Sequence, residues 1–203
     1  GIIKLDDALI ARNRRLRRAG VPPGRHFACL YLSGTEFLCR CNIARAVNIK
    51  EMAGILLFDH LTHNLDRTLN RRNLLLRREA DGWRAYAIDN SHLFRRARWT
   101  EESLKRLAPR VKAARQGIFG TLLRKYLSPC DFWPYRARLE KWTDGFLADL
   151  VGGVPAEWLP HAAERQAVVN FLAARRDLAD AGVTCLAASI PDKHRRADAD
   201  QMK

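Results

Sequence analysis

Apolar positions follow two different rhythms along this chain. Between residues 48 and 63 they recur at helical spacing through Met52, Ala53, Leu56, Leu57 and Leu61, behind an Asn48 to Glu51 pair three residues apart that resembles a capping box. This predicts a nearly buried helix that runs out at His63-Asn64. A polar loop over residues 66–72 then leads to two short apolar stretches, Asn73-Leu74-Leu75-Leu76 and Trp83-Arg84-Ala85-Tyr86-Ala87-Ile88, with the turn pair Asp81-Gly82 between them. Alternation about such a turn predicts a β-hairpin.

The flanks read differently. Residues 2–18 mix Ile3, Leu5, Leu9, Ile10 and Leu16 with arginines, which admits a short strand and a helical or irregular basic stretch. The apolar and aromatic run 26–32 predicts a buried strand, closed by Ser33-Gly34. After residue 100 the pattern is helical: Thr100 is placed to cap Glu101-Glu102, Pro109 interrupts, and amphipathic stretches follow at 119–127, 135–150 and 162–181. Gly152-Gly153 and Gly182 are expected helix stops, and residues 191–203 are polar and expected to fray. The elements together predict an α+β fold, divided into residues 1–34, residues 35–190 and a tail.

Composition changes this picture in two ways. With 47% hydrophobic and 29% charged residues the chain is ordinary for a globular protein, and its apolar runs are too short to cross a bilayer, so no membrane association is expected. The formal charge is +14, and it is unevenly spread: 24 of 36 Lys and Arg but only 11 of 22 acids precede Ile118. That half carries about +13 and favours a polyanionic partner, be it nucleotide phosphates, nucleic acid or an acidic protein surface. Five cysteines in a chain of this length point to a reducing, cytoplasmic setting, with Cys39-x-Cys41 as two residues of one strand or turn and too close for a zinc knuckle.

Helix, polar loop, strand, turn, strand and acid is also an order that suits phosphoryl transfer, which needs an oriented nucleophile and a cation that neutralises phosphate charge. The stretch Asp59-His60-Leu61-Thr62-His63-Asn64-Leu65-Asp66-Arg67, with Asn73-Leu74-Leu75 and then Ile88-Asp89-Asn90-Ser91-His92, resembles the Asn-x-Asp-Arg and Ile-Asp-x-x-His stretches of HipA-like kinases. Val154-Pro155-Ala156-Glu157-Trp158-Leu159 and Phe171-Leu172-Ala173-Ala174-Arg175-Arg176 are similar to later parts of that family, so the resemblance spans about residues 25–180.

The resemblance implies a protein-kinase-like helical large lobe that transfers the ATP γ-phosphoryl group to a Ser or Thr of a protein substrate. Asp66 would orient the attacking hydroxyl, Arg67 would support its loop, and Asp89 would hold magnesium. Leu30, Tyr31 and Leu32 would lie along the adenine. The kinase pattern places a metal-binding Asn five residues after the catalytic Asp, where this chain has Arg71; Asn70 and Asn73 flank it, and the apolar context after Asn73 favours Asn73.

A glycine-rich phosphate loop and a convincing strand lysine paired with a helix glutamate are missing from the pattern, although Ile2-Ile3-Lys4-Leu5 imitates a lysine strand. The expectation is therefore a fragment that lacks the nucleotide-covering small lobe and transfers little phosphate alone, with a degenerate kinase as the competing explanation. The alternative function is an inert, basic, kinase-shaped module that binds nucleic acid or an antitoxin-like regulatory protein. A metal-hydrolase site at His60 and His63 lacks an obvious third ligand. His92 reads as a structural hydrogen-bonding residue, Trp133, Trp142 and Trp158 read as core or interface, and the arginines of residues 12–18 read as a solvated face.

Overall fold

The computed structural model describes residues 1–95, 98–111 and 122–190, and the chain divides into two compact units, Gly1–Ser33 and Gly34–Lys203. The expected amphipathic stretch at 119–127 falls partly, and the fraying expected of 191–203 wholly, outside the described residues.

In the first unit β1 (Ile2–Leu5) pairs antiparallel with β2 (Gly24–Phe27), in the register Ile2 to Phe27 and Leu5 to Gly24. Two short helices, α1 (Asp7–Arg12) and α2 (Arg14–Arg18), intervene. The Asp6 carboxylate accepts from Leu9 N–H and the Asn13 carboxamide from Arg15 and Leu16 N–H, so each helix begins where a short polar side chain can take its orphan donors. Neither helix buries a residue, which makes the arginine run a solvated surface. The buried strand expected over 26–32 is corrected: β2 ends at Phe27, Ala28 still exchanges hydrogen bonds with Gly1, and beyond it residues 29–33 lie in no strand, with Leu30 and Tyr31 85% and 86% exposed.

The second unit mixes helices with a three-stranded antiparallel sheet, an α+β arrangement. The sheet order is β3 (Thr35–Phe37), β4 (Leu74–Glu79), β5 (Gly82–Ala87), and the β4–β5 hairpin pairs Leu74 with Ala87 and Glu79 with Gly82. Leu74, Leu76 and Ala85 bury one face of it. Against them packs α3 (Met52–Thr62), whose Met52, Ala53, Leu57 and Leu61 make a continuous apolar stripe.

Asn48 does not cap α3. Its carboxamide instead makes a two-way pair with the backbone of Ala85, donating to the carbonyl at 3.0 Å and accepting from the N–H at 2.8 Å, and this ties the helix entry to β5. The expected loop at 66–72 contains a short helix, α4 (Asp66–Leu69), and a 3-10 turn, Arg71–Asn73. Cys39 and Cys41 are bonded as a disulfide across a turn in which the Asn42 carboxamide accepts from Cys39 N–H, so the expectation of reduced thiols is not met there.

The remaining helices are α5 (Glu101–Leu107), α6 (Trp133–Arg138), α7 (Asp144–Gly152), α8 (Ala162–Asp177) and α9 (Ala179–Ala187). Thr100 caps α5 as expected, in a capping box closed by Ser103. The single helix expected over 135–150 is broken at Trp142-Thr143, where the Thr143 hydroxyl starts a new helix by accepting from Phe146 N–H.

Gly182 does not stop a helix. It lies inside α9 at a close crossing, where a Cβ would meet the His60 ring at 2.9 Å. Gly54 of α3 is likewise pressed against the Tyr135 ring of α6, where a Cβ would meet the ring at 2.4 Å. One apolar cluster joins α3, the sheet and α9; a second joins α5, α7 and α8 through Leu104, Leu107, Leu147 and Phe171. Trp142 packs against both, whereas Trp133 and Trp158 stand 56% and 40% exposed and belong to the surface. Among the described residues no helix is long and apolar enough to cross a membrane.

Candidate functional site

The candidate site is assembled where α3 ends. Its last turn closes as a Schellman motif: His63 takes the left-handed conformation (φ 52°), His63 N–H donates to the His60 carbonyl, and Asn64 N–H donates to the Asp59 carbonyl at 2.8 Å. This reverses the chain so that Asp66 and Arg67 begin α4 beside the open end of the β4–β5 hairpin. Pairing there extends one step past the strands, with Ile88 N–H donating to the Asn73 carbonyl at 3.0 Å.

Arg67 is the hub of this junction and is 4% exposed. Its Nε donates to both Asp59 carboxylate oxygens, at 2.9 and 3.2 Å. Nη1 donates to the backbone carbonyls of Asn73 and Ile88, and Nη2 donates to Asn90 Oδ1 at 2.5 Å. One guanidinium therefore ties the end of α3, the residue before β4 and both neighbours of Asp89 into one unit. Only a planar fork with five donors can serve so many acceptors from one buried point.

Asp59 is held between opposing effects. Burial pushes its carboxyl up to about 6, against the Arg67 charge and the hydrogen bonds from Arg67 and Asn64. Such a buried pair is worth little as a source of stability but is costly to break, since either partner alone would be a stranded charge.

The residues expected to carry chemistry meet at this junction as follows. Asn73 Nδ2 donates to Asp66 Oδ2 at 2.5 Å, and Asn70 Nδ2 donates to Asn73 Oδ1 at 3.1 Å while its own Oδ1 accepts from Arg72 N–H. Asn70 thus faces its own loop and orients Asn73. Asp89 follows Ile88 directly, is exposed, and adopts φ 60°, a region that Asp tolerates better than most residues. Hydrogen bonds from the Ser91 hydroxyl and N–H hold its carboxyl below the usual range, so it is an anion at neutral pH.

His92 Nδ1 lies 3.0 Å from the Ser91 hydroxyl, a structural contact of the kind expected. Leu30, Tyr31 and Leu32 are part of the first unit, Leu30 and Tyr31 exposed and Leu32 half-buried.

His60 and His63 stand at the last turn of α3. Both are buried, with ring centroids 6.5 Å apart, and each Nε2 is without a hydrogen-bond partner among the described residues, as is Asn64 Oδ1. Burial, then the positive charge of Arg175, push His60 down to about 4 and His63 to about 3. No group of three or more His, Cys, Asp or Glu able to hold a metal occurs among the described residues.

Arg175 itself is the residue that sequence reasoning undervalued. It is 0% exposed, and it donates to the carbonyls of His60 and Leu61 in the last turn of α3 and to those of Ala108 and Arg110 after α5. Its signal is a position four residues on from Phe171, on the buried stripe of α8, where an unpaired cation has no business unless backbone oxygens receive it.

Comparisons with protein-family models, curated proteins and solved structures return no match for this chain.

Proposed function

We propose that the second unit is the large lobe of a HipA-like, ATP-dependent kinase that transfers the γ-phosphoryl group to a Ser or Thr of a protein substrate. The observation that carries this reading is the Arg67 junction, which binds the Asp66 loop and the Asp89 turn to the same hairpin end. Asp66 would orient the attacking hydroxyl, and its bond from Asn73 fixes its rotamer for that task.

Asp89 and Asn73 would hold magnesium. One exposed carboxylate kept ionised suits a magnesium ion that takes most of its ligands from phosphates and water, and Asn73 would join it by turning its Oδ1 away from Asn70. The bound ion would neutralise charge on the transferred phosphoryl group. The side chains of this chain would orient the acceptor and keep the two acids in register.

The test is thermal unfolding of the chain with and without ATP and magnesium. A stabilisation that Asp89→Asn abolishes supports the kinase reading. Absence of any nucleotide effect, together with salt-sensitive oligonucleotide binding indifferent to Asp89→Asn, would establish the inert basic module instead.

A further inference from the structure

A cavity of about 640 Å³ opens beside the candidate site, between α5 and the segment that follows Asp89. Its wall includes Leu65, the residue before Asp66, and four arginines, Arg95, Arg98, Arg106 and Arg110. Among the described residues Arg95, Arg98 and Arg110 have no carboxylate partner, and Arg106 has only the exposed Glu102 at 3.4 Å. Four arginines lining one hollow concentrate positive charge there, and the arrangement suits an anion.

Two of the arginines are anchored through their backbone. Arg95 sits at φ 71° with its N–H bonded to the His63 carbonyl at 3.0 Å, and the Arg110 carbonyl accepts from buried Arg175. Thr100 and Ser103 also line the hollow, but their hydroxyls are spent on the capping box. Recognition is therefore by guanidinium forks, which match carboxylates.

We propose that this cavity is a docking site for an acidic segment of the protein substrate, with Asp or Glu side chains flanking the acceptor hydroxyl and seated among Arg95, Arg98, Arg106 and Arg110. The proposal rests on the kinase reading in one respect, that the docked segment is the acceptor; Leu65 places its occupant next to Asp66. A peptide is favoured over nucleic acid because the aromatic floor is already engaged. Phe94 makes T-shaped contacts with both Trp99 and Phe171, at 82° in each case, so its ring is engaged in packing rather than offered to bases.

The experiment measures fluorescence anisotropy of a short labelled Ser peptide with Glu and Asp flanks, and of its Gln and Asn counterpart, against the full chain. The acidic peptide is expected to bind at least about tenfold more tightly, with a strong salt dependence, and Arg98→Glu with Arg106→Glu should remove that preference. Cooperative urea unfolding of the same double variant, followed by tryptophan fluorescence, reports that it is folded.

Equal binding of the two peptides, a preference that survives the charge reversal, or displacement of the acidic peptide by a single-stranded oligonucleotide at lower concentration would each overturn the proposal. If the parent shows the acidic preference but no nucleotide shift, the docking site stands and the kinase reading falls. If it shows the shift without the preference, the reverse holds.

Discussion

Replacing Arg175 with Met is the most direct probe of how the site is held up. Met fills much of the Arg stem volume, so the change removes the guanidinium with little loss of packing. Four carbonyl oxygens lose their donor: His60 and Leu61 at the end of α3, and Ala108 and Arg110 after α5. Each would cost about 1–3 kcal/mol if left unpaired, but local opening lets water reach some of them, so the net expectation is a loss of about 3–5 kcal/mol. For a chain of this size that corresponds to a fall in melting temperature of roughly 10–15 °C.

Urea unfolding followed by tryptophan fluorescence measures it. Arg175→Lys should fall between parent and Met, because an ammonium reaches fewer of the four oxygens. Arg176→Met provides the control: Arg176 is half-buried, and its ion pairs are with the exposed Asp144 and Asp177, beside one bond to the Trp142 carbonyl, so its loss should cost about 1 kcal/mol or less. If Arg175→Met unfolds within about 1 kcal/mol of the parent, Arg175 is not what fastens α3 and α5 to α8.

Three further outcomes are expected. Arg67→Ala should destabilise by about 3–5 kcal/mol by leaving Asp59 buried and unpaired, and adding Asp59→Leu should recover part of that loss in the same urea assay. Acid should destabilise the fold: the two histidines stay neutral when folded but protonate near 6.5 when unfolded, so their stabilisation is whole above about 6.5 and is lost as pH falls toward 4 and 3. Asp59, whose folded value is raised to about 6, works oppositely and gains stability between 6 and 3.8, leaving a net loss on the order of 4 kcal/mol by pH 4; a His60→Gln, His63→Gln variant with an unchanged pH slope would refute this. Gly54→Ala should cost about 1–3 kcal/mol through its collision with the Tyr135 ring, and Tyr135→Leu should relieve it.

The elements that were legible in the sequence are those specified locally. The β4–β5 hairpin was readable because alternation and an Asp-Gly turn act within a few residues, and α5 because Thr100 and Ser103 satisfy each other across one turn. Misreadings arose where a distant partner decides. Asn48 has the chemistry of a cap, but the backbone of Ala85, 37 residues on, offers both a donor and an acceptor and outcompetes the local role. Gly182 has the chemistry of a helix stop, yet what fixes it is the His60 ring of another helix. The 26–32 run is apolar enough for a buried strand, but pairing with the chain start gives out at Ala28, and Leu30 and Tyr31 beyond it are exposed.

The same distinction separates the legible part of the site from the illegible part. Asp66, Asn73 and Asp89 stand out because a short polar side chain at a helix start or strand end is visible in a local pattern. What sets their geometry is not local. Arg67 reaches eight residues back to Asp59 and more than twenty forward to Ile88 and Asn90, and Arg175 reaches across more than a hundred residues to the carbonyls of His60 and Leu61. Arg175 is a buried cation whose four acceptors are all backbone oxygens, and Arg67 adds two backbone carbonyls to its bonds with the Asp59 and Asn90 side chains; carbonyls are the one acceptor every position carries, so no residue type elsewhere in the sequence announces those bonds. Such bonds tolerate changes of side chain at the accepting positions but not at the arginine. The placement of Asp66 and Asp89 should therefore be more sensitive to Arg67 and Arg175 than to most of the residues those arginines touch.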